Sequence, residues 1–112
     1  MKRPISVTIL ALVYLAVGVI GFAYHFRPIL ATHAIHADDV MVEVSELLAI
    51  VCGMFILQGR NWARWLALAW MAFHVGVSFL HNFREIAVHT VFLFVIALIL
   101  FRPKAVEYFR RA

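Results

Sequence analysis

The stretch VMVEVSELLAIVCGMFILQGRNWARWLALAWMAFHVGVSFL, residues 40–80, holds two long apolar segments separated only by Gly59-Arg60-Asn61. Each is about 20 residues, the length an α-helix needs to cross a hydrocarbon core of ~30 Å. So short a turn makes the two segments antiparallel neighbours. Strands are excluded, because an open sheet edge cannot span lipid and the chain has too few segments for a closed barrel.

Working outward, a third segment precedes this pair and a fourth follows it. Residues 5–24 form the N-terminal one, with Lys2 and Arg3 before it and Pro4 suited to a helix start. It is longer than the ~7–15 residue apolar core of a cleaved signal peptide and ends in Tyr24-His25-Phe26-Arg27-Pro28, so it reads as a retained helix. Beyond the tight turn His81-Asn82, residues 83–101 form the fourth segment, and Pro103 then breaks or restarts the chain. The expected fold is all-α: a single polytopic transmembrane domain over residues 1–112, a four-helix up-down-up-down bundle. Its helices are expected at 5–24, 40–58, 62–80 and 83–101, with a loop over 25–40, a short basic cytoplasmic tail over 102–112, and Asp38 or Asp39 capping the second helix.

Composition agrees. Of 112 residues 65% are hydrophobic and 14% charged, and the mean hydropathy is +0.95; a soluble domain is about half apolar and about a quarter charged. Four spans leave no room for a soluble catalytic domain. The net charge of +4 does not point to nucleic acid, because Lys2, Arg3, Arg60, Arg64, Arg102, Lys104, Arg110 and Arg111 sit at the ends of apolar segments, where they act as topology signals and headgroup contacts. The lone Cys52 allows no intramolecular disulfide and no CxxC chemistry, and reads as a small buried hydrophobe.

Lys and Arg also set orientation. They gather at the N-terminus, the Gly59 turn and the C-terminal tail, whereas the loop over 25–40 has only Arg27 and the His81 turn only Arg84. Both termini are therefore expected in the cytoplasm, with the His-rich loop outside.

Six titratable side chains lie in or at the ends of these segments: Glu43, Glu46, His74, His81, Glu85 and His89. Ionisable groups at membrane depth are functional-site hypotheses by default. The orientation places all six toward the outer face. At ~1.5 Å per residue, His74 lies roughly 10 Å below the boundary and His89 roughly 9 Å, with Glu46 slightly above them. Glu46, His74 and His89 thus converge in depth from three helices. Glu43, Ser78, His81 and Glu85 form the rim, with His81 and Ser78 on the His74 face and Glu85 four residues from His89, placed to orient it.

Several chemistries fit this cluster. Imidazole and carboxylate on facing helices can hold a divalent metal, with Glu46, His74 and His89 as ligands, though no spacing matches a specific signature; His33-x-x-His36 in the loop is a second pointer of the same kind. Glu and His chains relay protons, but the inner half of the bundle has few titratable groups, so a full path needs a second copy or a larger membrane complex. A b-type haem between His74 and His89 would draw on Ala72, Gly76 and Ala87 for room, with Glu46 and Glu85 out of place beside a porphyrin. Hydrolytic chemistry is poorly served, since Ser45 and Ser78 lack a nucleophile setting. The function read from the residues is a small integral membrane binding or accessory protein with an outer-leaflet Glu/His pocket that binds a divalent metal or relays protons, and no residue is assigned as catalytic. The alternative is a structural subunit or scaffold whose polar cluster only fixes helix packing; a membrane enzyme on a lipophilic substrate, a quinone or an isoprenoid, is third.

The stretches Ser6-Val-Thr-Ile-Leu-Ala-Leu-Val-Tyr-Leu-Ala-Val-Gly-Val-Ile-Gly-Phe22 and Gly59-Arg60-Asn61-Trp62-Ala63-Arg64-Trp65-Leu66-Ala67 resemble those of small four-helix bacterial membrane proteins of unknown function. The resemblance implies four spans in a bacterial inner membrane and carries over no catalytic residue. The acid of small multidrug transporters, found in their first helix, has no counterpart between Ile5 and Tyr24.

The orientation has a direct check: a reporter that is active only in the periplasm is expected to be inactive when fused at the C-terminus and active when inserted in the loop near His33.

Overall fold

A computed structural model describes residues 3–111. They form five helices: α1 (Ile5–Thr32), α2 (Ala37–Leu57), α3 (Asn61–Ser78), α4 (Phe83–Phe101) and α5 (Pro103–Arg111). Among the described residues there is no strand. α1 packs on α2, α2 on α3 and α3 on α4, while α4 touches α5 and, sparsely, α1.

Three helices, α1, α2 and α4, are long and apolar enough to cross a membrane. α3 falls short of the four segments expected, because Asn61, Arg64, His74 and three tryptophans dilute its 18 residues. α4 has the expected bounds, and Asn82 fixes its start by accepting a hydrogen bond from the Glu85 N–H at 2.9 Å.

Two boundaries differ from the sequence reading. α1 continues through Pro28 to Thr32, so the expected 25–40 loop shrinks to residues 33–36. A proline removes one N–H, but the turns around it stay helical: the Thr32 hydroxyl donates to the Pro28 carbonyl at 2.8 Å, and His33, in the left-handed region at φ 54°, returns its N–H to Ile29 O. At 28 residues α1 is ~42 Å long, more than a bilayer core requires. His36 stands at the N-cap of α2, and its N–H donates to Asp39 Oδ2 at 3.0 Å; Asp39 thus serves from inside the first turn rather than at the cap position.

The tail is the second difference. Pro103 restarts the chain as α5, whose Ala105, Tyr108 and Phe109 share one buried face. The end of the molecule that carries Arg3 and α5 is closed by donors to orphan helix carbonyls. Tyr108 donates to Leu57 O at 2.9 Å, and Arg3 Nη1 donates to the same atom at 2.6 Å. Arg64 donates to Leu100 O at 3.3 Å while its guanidinium lies 4.4 Å from the Phe101 ring centre and 5.5 Å from that of Phe109.

The tightest seam is α1 on α2. A Cβ on Gly18 would meet Ile50 Cγ1, and would stand 2.7 Å from Glu46 O and 2.9 Å from Ile50 N; one on Gly53 would stand 2.7 Å from Ala11 O and 3.0 Å from Leu15 N. The two backbones therefore touch, as small residues allow between apolar helices. Gly76 has nothing within 4 Å of such a Cβ.

Opposite signs follow for two Gly→Ala changes. Gly53→Ala is expected to destabilise by about 1–3 kcal/mol through overpacking, lowering the thermal midpoint in detergent. Gly76→Ala is expected to raise it, by up to about 1 kcal/mol of helix propensity.

Candidate functional site

Glu46, His74 and His89 sit on α2, α3 and α4 and line one cavity of about 390 Å³. The close α1–α2 seam places Glu46. A Cβ on Gly21 would fall 2.5 Å from Glu46 Oε2 and 2.7 Å from its Cδ, so the carboxylate occupies the hollow the glycine leaves.

His74 is fixed from its own helix. Its Nδ1 bonds to Trp70 O at 2.7 Å, and its ring lies on the Trp70 indole with centres 4.0 Å apart. Trp70 in turn donates its indole N–H to Ser45 O at 2.8 Å, and its ring meets Tyr14 with centres 5.2 Å apart. His89 is held by two acceptors, since its Nδ1 lies 2.9 Å from Glu85 O and 2.7 Å from Ser78 Oγ. The Ser78 hydroxyl donates to His74 O at 2.7 Å, so one buried serine joins the two histidines across α3 and α4. The imidazole centres are 6.0 Å apart.

The rest of the cavity wall is apolar, apart from Tyr14 and Trp70. Val13 and Val17 of α1 and Phe92 and Val95 of α4 line it while remaining exposed themselves. The cavity therefore opens sideways where α1 and α4 barely touch. A second cavity of about 290 Å³ is lined by His25, Ser45, Glu46 and His74, so Glu46 and His74 stand in the wall common to both.

The three residues expected to converge from three helices do share a cavity. They do not form a coordination shell: among the described residues no group of three or more His, Cys, Asp or Glu side chains is placed to hold a metal ion. The three groups stand apart on an otherwise largely apolar wall. A haem between His74 and His89 does not fit either. Ala72, Gly76 and Ala87, expected to make room for it, are exposed and do not line the cavity.

The rim residues part company. The Glu85 carboxylate pairs with His81 Nδ1 at 3.4 Å, and both side chains are well exposed; Glu85 orients His89 with its backbone carbonyl, not its side chain. His81 lies beyond the end of α3, in the turn. Glu43, expected at the water boundary, is 8% exposed, and neither of its carboxylate oxygens has a partner. His33 and His36 end one helix and start the next, and both are exposed. Ser78 was placed beside His74 by helical spacing; its bond to His89 depends on how α3 and α4 meet. Nothing in the sequence flags Gly21 as the hollow for Glu46, or Trp70 and Tyr14 as cavity wall.

An unpartnered buried carboxylate is destabilising by about 1–3 kcal/mol, and an apolar replacement of similar size recovers that. Glu43→Leu is therefore expected to raise the thermal midpoint by several degrees in detergent or nanodiscs. A fall would mean that Glu43 holds a partner group.

No family model, no curated protein and no solved structure matches this chain, so the site stands on its own geometry.

Proposed function

We propose that the chain is a four-span, up-down-up-down membrane protein of the bacterial inner membrane, with both termini cytoplasmic. In this reading it binds a lipophilic molecule in the side cavity, with the polar head of that molecule at Glu46, His74 and His89. The observation that carries the proposal is that three titratable side chains from three helices line one otherwise apolar cavity whose mouth opens between α1 and α4. Pockets for small molecules are commonly apolar with a few convergent polar groups. Around that mouth the outer surface is apolar, with Val91, Phe94 and Leu98 exposed on α4 and Ile9 and Ile20 on α1, so a ligand can enter from the acyl-chain region. α3, less apolar than its neighbours, would be shielded by them and tied to them through Tyr14–Ala67, Trp70–Ser45 and Arg64–Leu100 hydrogen bonds.

Glu46 and His74 also face the second cavity, on the His25 side. The groups that hold the head can thus pass a proton toward the outer surface, the relay role that Glu and His serve in membranes.

The second reading is structural. The Ser78 link between His89 and His74 O joins α3 to α4 whether or not anything binds. Both readings are separated by one experiment on protein in nanodiscs, using a long-chain fluorescent fatty alcohol as probe and thermal unfolding as control. Saturable binding is expected, weakened tenfold or more by His89→Ala with Glu46→Gln. Absence of saturable binding, with the same double variant lowering only the thermal midpoint, would establish the scaffold reading.

A further inference from the structure

The hydrogen-bond pattern around the cavity fixes what kind of head group it can take. A carbonyl oxygen only accepts, so the proton between His74 Nδ1 and Trp70 O, 2.7 Å apart, belongs to the imidazole. The same holds for His89 Nδ1 and Glu85 O at 2.9 Å. Ser78 uses its own proton on His74 O, so toward His89 Nδ1 it can only accept, which reinforces the assignment. A neutral imidazole carries one N–H, and the hydrogen bond at one nitrogen decides the character of the other. Nε2 of both residues is therefore an acceptor. On His74 it faces the Ser45 hydroxyl, which donates to it at 3.5 Å, the outer limit of a hydrogen bond.

The donors that line the cavity are consumed. Tyr14 gives its hydroxyl proton to Ala67 O at 2.8 Å, and Trp70 gives its indole N–H to Ser45 O at 2.8 Å. Glu46 Oε2 is buried with no donor beside it. The polar wall thus offers acceptors: two imidazole nitrogens and a carboxylate.

We propose that the head group held at Glu46, His74 and His89 is a hydroxyl on a lipophilic molecule, a hydrogen-bond donor, and not a carbonyl or ether. This rests on the side cavity being a ligand site. A hydroxyl donates to Nε2 and, since it also accepts, pairs with Glu46 in either protonation state. An ether or ketone finds a donor only when Glu46 carries a proton.

The test compares 4-dodecylphenol with its methyl ether on wild-type protein in nanodiscs, together with ¹⁵N NMR of histidine-labelled protein. The phenol is expected to bind at least tenfold tighter than the ether, about 1.4 kcal/mol. Nε2 of His74 and His89 should appear as unprotonated ring nitrogens, shifted by the phenol and not by the ether. Equal, saturable binding of both probes, or protonated Nε2 in the free protein, would overturn the donor assignment while leaving the cavity a ligand site. Binding of neither would remove the ligand site itself and the assignment with it.

Discussion

Backbone contact between α1 and α2 at Gly18 and Gly53 constrains everything around it. In the proposed membrane setting there is little hydrophobic gain from association of apolar helices, and close packing supplies the attraction. Two missing Cβ atoms let the main chains meet, and the same approach presses the Glu46 side chain into the Gly21 hollow. With α1 committed to α2, its contact with α4 is sparse. The gap that results is the side cavity, with Glu46 in its wall.

α3 is bound in by a different force. Its side chains and carbonyls exchange hydrogen bonds with every neighbour: Tyr14 of α1 reaches Ala67, Trp70 reaches Ser45 of α2, and Arg64 and Ser78 reach Leu100 and His89 of α4. Each such bond satisfies a polar group that would be destabilising if buried alone. The consequence for chemistry is direct. The bonds that fix α3 use up the hydroxyl and indole protons of Tyr14 and Trp70 in the cavity wall, so packing sets the polarity of that wall.

Segment positions were legible where punctuation is strong. α4 begins after Asn82 and ends before Pro103 as expected, because the His81-Asn82 turn and a proline are local signals; the Asn82 cap is a finding of the structure. The end of the first helix, expected at Tyr24 where the apolar run stops, lies further on: Pro28 is inside α1, where Thr32 and His33 keep the last turns bonded. The tail read as basic and aromatic, while its apolar face, Ala105, Tyr108 and Phe109, becomes meaningful only against the ends of α2 and α4. In the site, equal depth was enough to bring Glu46, His74 and His89 to one cavity. It was not enough to place Glu85, whose carboxylate turns to His81, or to show that Glu43 is enclosed by its neighbours.

By itself the sequence determined that the chain is helical, where most helices start and stop, and which titratable residues share a level, since all of these follow from run length, helical rise and local punctuation. It could not determine the rotation of each helix about its axis, because helical spacing relates residues to their own helix and not to its neighbours. Tertiary contact decided that rotation, through the Gly18 and Gly53 seam and the bonds to α3. With it came the Gly21 hollow, the Ser78 bridge, the unpartnered carboxylate of Glu43, and the two imidazoles held through Nδ1.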